Sequence, residues 1–106
     1  MPKLMSGQWD SKLTEIAGAL AKYEAARPDA DVSLYRQNAA SIRIRVIDEY
    51  FDGLGIGDRG KLFWPFLRSL SDDARSEISV LLLLTPEEVP TSFANADFAC
   101  PVPSGL

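Results

Sequence analysis

"DVSLYRQNAASIRIRVID", Asp31 to Asp48, decides the fold class. In "SIRIRVID" apolar and basic residues alternate. Ile42, Ile44 and Val46 fall on one face of an extended chain, and Arg43 and Arg45 on the other. "DVSLYRQ" alternates with the same period of two, as a half-buried strand does. "QNAAS" between them is a short turn, so the two segments are expected to pair as an antiparallel hairpin.

Upstream of the hairpin the apolar spacing becomes helical. Leu13, Ile16, Ala17, Leu20 and Tyr23 form one stripe, with Asp10 or Ser11 placed to cap its first turn. Arg27-Pro28 ends that helix, because the residue before proline avoids the α region. Residues 1–9 read as a loose leader.

Downstream, "DEYFDGLGIG" has the chemistry of a connector. Leu62, Phe63, Phe66, Leu67 and Leu70 then mark the apolar face of a second helix. Pro65 is expected to push Trp64 out of the α region. Either it kinks a helix begun near Gly57, or it sits in the first turn of one. "SLSDDARSE" offers Ser71 or Asp72 as a cap for one or two further turns. "ISVLLLL" lacks alternation and reads as a strand buried on both faces. "TPEEVP" fits one helical turn with Pro86 at its start.

From Pro90 the composition shifts to prolines and small polar residues, and residues 90–106 read as an extended tail. Its two phenylalanines, Phe93 and Phe98, are the expected anchors. They would cover the sheet face that the helices leave bare, on the same domain or on a partner. The expected architecture is one α+β domain over residues 10–89. It is a two-layer sandwich in the order α-β-β-α-(α)-β, a three-stranded sheet with helices on one face.

A length of 106 residues fits one domain, and 46% hydrophobic with 25% charged residues is ordinary globular composition. The net charge of -4 opposes non-specific attachment to nucleic acid or anionic membrane. A single cysteine, Cys100, rules out an internal disulfide, and a reducing, cytoplasmic setting is expected. The start of the chain does not read as a signal peptide, and the block around "VLLLLT" is too short to span a bilayer. The chain has no histidine. That removes histidine triads, histidine general bases and histidine-ligated zinc from consideration.

The order of elements resembles that of BolA-like proteins, whose topology is also that of the type II KH domain. "SIRIRVIDEYFDGL" is similar to the BolA stretch in which a basic-apolar strand leads into Phe, an acid and Gly. "GDRGKLFWPFLRSL" stands where that family has its arginine-histidine helix, and "ISVLLLLTPEE" resembles its last strand and closing turn. The likeness spans Leu13 to Glu88. The family's histidine, a ligand for an iron–sulfur cluster shared with a glutaredoxin, has no counterpart: Gly60 follows Arg59. The "QNAAS" loop likewise lacks a Cys or His donor. The resemblance thus implies the fold, and the departures argue against its cluster chemistry. No cofactor and no metal site is expected.

Three groups of residues invite a functional reading. "IGDRGKLF" matches the KH signature Ile-Gly-x-x-Gly, in which glycines let a nucleic-acid backbone approach the main chain. Gly57, Asp58, Arg59, Gly60 and Lys61 would form that clamp. The plainer alternative is a helix start, with Asp58 at the positive end of the dipole. Tyr35, Arg36, Arg43 and Arg45, with Arg59, Lys61 and Arg68, make the one net-positive region, a possible stacking and phosphate surface. The favoured alternative has the strand arginines on a solvated face or paired with tail carboxylates. Asp48, Glu49 and Asp52 form an acidic group whose spacing matches no cation loop, and strand-end carboxylates are usually solvated. Cys100 has no base or cation beside it in sequence and reads as a small tail hydrophobe.

A small non-catalytic protein-interaction module is therefore expected. It would act through its outer sheet face or its tail, on an unknown protein partner or a second copy, with no membrane contact. The alternative is a KH-like nucleic-acid binder using Gly57–Gly60 and the strand arginines. An enzyme built from carboxylates ranks third.

Overall fold

The computed structural model describes residues 2–99. Helix α1 runs Ser11–Ala26, and the Asp10 carboxylate accepts from the Leu13 amide as its N-cap. Strands β2 (Asp31–Asn38) and β3 (Ser41–Ile47) form the antiparallel hairpin, with Ser33 opposite Arg45 and Leu34 opposite Ile44. A 3-10 turn, Glu49–Phe51, follows, and Gly53 closes the connector at φ 78, which a side chain would strain. Helix α2 spans Ile56–Phe63 and tightens into a 3-10 stretch, Trp64–Leu67. Pro65 is thus accommodated by tighter winding, at a position whose missing donor costs little. Trp64 stays in the α region, contrary to the expectation that proline would push it out. Ser71 caps α3 (Asp72–Glu77), which leads directly into β4 (Ile78–Leu84).

Among the described residues the sheet has four strands, not three, in the order β1-β2-β3-β4. The added strand is β1, Lys3–Leu4, which lies parallel to β2. The leader is therefore not loose: its backbone adds to the sheet, and the Met5 amide donates to the Leu34 carbonyl. β3 and β4 are also parallel. Two units of parallel strands bridged by helix, β1-α1-β2 and β3-α2-α3-β4, are thus joined through the central hairpin.

The core lies between the sheet and α1–α3. Leu13, Ile16 and Leu20 of α1 meet Leu34, Ile42, Ile44 and Val46 of the sheet, Phe63 of α2, and Phe51 and Leu67 of the 3-10 turns, all fully buried. Each such side chain contributes about 1.5–3 kcal/mol relative to exposure. Tyr23 packs against Phe63 and Phe66 at 5.0 and 5.2 Å between ring centres.

The tail departs most from expectation. Beyond the closing turn, residues Phe93–Ala99 form a helix, α4, in place of an extended segment. The Ser92 hydroxyl accepts from the Asn95 amide and stabilises its first turn. α4 lies on the sheet face opposite α1–α3, so helices cover both faces and the two-layer description holds only for residues before it. Phe98 is 1% exposed and meets Tyr35 edge-on at 4.9 Å. Phe93 is 93% exposed and anchors nothing among the described residues. Cys100 and the tail beyond it lie outside the described residues. No described helix is long and apolar enough to cross a membrane.

The candidate binding groove

The residues that read as a phosphate clamp are helical. Gly57, Asp58, Arg59, Gly60 and Lys61 all lie inside α2, not in a loop between helices. Neither glycine has a positive φ. A Cβ on Gly57 would meet nothing within 4 Å, and one on Gly60 only the Trp64 ring edge at 3.8 Å. The glycines are not demanded by the backbone. They leave one face of α2 bare.

Arg59 points the other way. It is 8% exposed and joins three segments. Nε donates to the Leu54 carbonyl at 2.9 Å, and Nη1 donates to the Leu83 carbonyl at 3.0 Å. Nη1 and Nη2 also reach the Glu88 carboxylate at 2.6 and 3.2 Å. Glu88 in turn accepts from the Thr85 amide at 2.8 Å, completing a capping box on the turn Pro86–Thr91. The Arg59 guanidinium and the Thr85 amide hold the Glu88 carboxyl down at about 2. A guanidinium consumed in this way is a structural tie, and the expected role of Arg59 on a phosphate does not fit it.

The strand arginines are occupied too. Arg43 donates to Gln37, to the Tyr35 hydroxyl and to Asp97 of α4, the last at 2.8 Å. Arg45 donates to Asn95 of α4 at 3.0 Å and stacks over the Phe98 ring at 4.9 Å. The tail carboxylate pairing anticipated from sequence is therefore present at Arg43–Asp97. Tyr35, buried under Phe98, offers no open stacking face. Arg36 chelates Asp10 and pairs with Glu77 at 2.7 Å. An outward basic surface of Tyr35, Arg36, Arg43 and Arg45 is thus corrected to a set of internal ties, because α4 and the α1 cap supply the partners.

Asp48, expected to be solvated, is 3% exposed. Burial alone would raise its carboxyl. Arg27, bidentate at 3.1 Å, the Tyr23 hydroxyl at 2.5 Å and the Tyr50 amide at 2.9 Å together hold it below the ordinary value. The phenol donating to it is correspondingly pushed up, by burial first and then by that bond. The Asp48–Tyr23–Arg27 constellation fixes the end of β3 to the end of α1. No group of three acidic or cysteine ligands with metal-holding geometry occurs among the described residues.

What stays open is a groove of about 880 Å³ between α2 and the outer edge of β4. Gly57, Gly60, Lys61, Trp64 and Arg68 line one wall, at spacings of three, four and seven that put them on one helical face. Leu81, Leu82, Leu83 and Leu84 form the other wall, with Ser92 and Ala94 at its far rim. Ile56 at the mouth is 89% exposed, and Trp64 is exposed as well. Among the described residues the backbone of β4 is paired only on the β3 side. The Leu84 carbonyl accepts from Asp48 on that side, whereas the Leu83 carbonyl accepts from Arg59 on the other. Alternation along the strand therefore turns the backbone groups of Leu81 and Leu83 to the open edge. β4 is an edge strand and only half-buried, not the fully covered strand expected from "ISVLLLL". The sequence signal for this groove was the bare stripe from Gly57 to Arg68, hidden because Gly57–Gly60 looked like a loop.

No protein-family model, curated protein or solved structure matches this chain.

Proposed function

We propose that this protein is a small non-catalytic interaction module and that its contact surface is the groove between α2 and the edge of β4. One observation carries this. Among the described residues, a strand edge without a pairing strand lies open in an apolar channel flanked by exposed Ile56 and Trp64. Native proteins cover or blunt such edges unless they are used. An exposed apolar channel of this kind is a frequent mark of a protein contact. The surface differs from the outer sheet face expected from sequence, which α4 occupies. A chain without histidine supports a binding role over acid–base catalysis. The BolA-like resemblance is supported by the element order α1-β2-β3-α2-α3-β4, and we propose the kinship on that order and the residues quoted above.

The test is site-specific photo-crosslinking in cells. A benzoylphenylalanine at Ile56 is expected to give a discrete, nuclease-resistant protein adduct. The same group at Lys22, on the exposed side of α1, is expected to give none. Adducts that vanish with nuclease would favour the nucleic-acid alternative instead, and no adduct at Ile56 would remove the groove as a contact surface.

A further inference from the structure

The chemistry of the groove narrows what it takes. Three features converge there. The backbone N–H groups of Leu81 and Leu83 and the carbonyl of Leu81 face outward on the strand edge, with no described backbone group bonded to them. Lys61 of α2 and Arg68, just past the 3-10 stretch that continues it, stand on the same wall, exposed and without an ion pair or hydrogen bond among the described residues. The one carboxylate in the lining, Glu88, is already neutralised by Arg59. The groove is therefore locally cationic on a chain whose net charge is -4. Its β4 wall, Leu81 to Leu84, is apolar.

We infer that the groove binds an extended segment of a partner protein, which adds to the edge of β4 as a fifth strand and places acidic side chains against Lys61 and Arg68. This rests on the reading of the groove as a protein contact. Main-chain bonds to Leu81 and Leu83 would hold the segment, and side-chain pockets along the channel would select it. Arg59 already occupies the Leu83 carbonyl, so pairing ends there and the segment is short. Apolar residues on one side of its backbone meet Ile56 and Trp64. Acidic residues provide complementarity of charge, which speeds encounter and rejects basic competitors.

Charge also decides against the other occupants. A second copy packed edge to edge about a two-fold axis would bring the Lys61 and Arg68 set of each subunit toward its equivalent. A nucleic-acid strand would find two cations, a single exposed tryptophan and a wall of leucines, with Arg59 unavailable.

A twelve-residue random peptide library displayed on phage, selected against the full chain, tests this. Enriched peptides are expected to alternate β-branched or aromatic residues with Asp or Glu and to lack central proline. A synthetic copy of the best one is expected to shift the amides of residues 56–64 and 81–84. It is expected to lose about tenfold or more in affinity against the K61E/R68E double variant. Both residues are exposed and have no partner among the described residues, and an unchanged urea midpoint of that variant checks that it folds. Peptides that shift the same amides but are neutral or basic, or that bind the double variant equally, overturn the acidic-strand inference and leave the groove a protein site. No groove-directed peptide, together with shifts from a single-stranded octanucleotide or a dimer in light scattering, overturns both.

Discussion

Replacing Arg59 by methionine separates a structural tie from a ligand-binding cation. Methionine keeps most of the apolar stem and removes four hydrogen bonds: those to Leu54 and Leu83 and the pair to Glu88. The two carbonyl bonds contribute about 1 kcal/mol each. The Glu88 side chain is 43% exposed, so its carboxylate regains water and the ion pair is discounted to about 1 kcal/mol. The expected loss is therefore about 3 kcal/mol, a fall in melting temperature on the order of 10–20 °C for a domain of this size. Urea unfolding followed by the fluorescence of Trp9 and Trp64 reads it directly. E88Q is expected to cost about 1 kcal/mol, and the double variant to cost less than the sum of the two by about 1 kcal/mol. Should R59M unfold within about 0.5 kcal/mol of the parent, the tie is illusory. Arg59 would then be free to meet a phosphate, and the KH-like alternative would return.

Three further outcomes follow from the same contacts. Asp10 and Glu88 are both held at about 2, by Arg36 and Arg59 respectively, below ordinary values of 3.8 and 4.5. A depressed carboxyl stabilises fully above its unfolded value, so stability should be flat above about pH 5 and fall progressively toward pH 2. Urea midpoints across that range measure it, and E88Q should flatten the profile; a midpoint unchanged between pH 5 and 2.5 contradicts the pairing. F98A removes a buried ring from Tyr35 and Arg45 and should release α4 at a cost of about 2–4 kcal/mol to its docking. Hydrogen exchange of residues 93–99 should then accelerate while β2 and β3 keep their protection, and uniform acceleration would show that α4 is part of the cooperative core. Y23F deletes the bond to Asp48 and should cost about 1–2 kcal/mol in urea unfolding, with a cost under about 0.5 kcal/mol refuting the bond's role.

Local rules explain what could be read from the sequence. Period-two alternation in "SIRIRVID" and the Asp10 and Ser71 caps are signals within a few residues, and each appears where expected. β1 escaped because two residues carry no period. α4 escaped because flanking prolines dominated the composition, although Ser92 before an alanine-rich stretch is a cap signal. A pairing of the strand arginines with tail carboxylates could be anticipated, but which partner each arginine takes was beyond local rules. Arg59 finds Glu88 across 29 positions, Arg43 finds Asp97 across 54, and Arg27 finds Asp48 across 21. Only the tertiary fold decides whether a cation faces water or a carboxylate. The groove was illegible for the same reason, since its two walls are distant in sequence.

The strand order β1-β2-β3-β4 has a kinetic consequence. Every described strand lies beside its own chain neighbour, but only the β2–β3 hairpin closes a short loop; the parallel pairs β1–β2 and β3–β4 form only once a helical crossover has been made. A nascent chain leaving the ribosome can lay down each strand on the edge just completed. Among the described strands β4 is the last to be added, and the edge it leaves is the one that borders the groove.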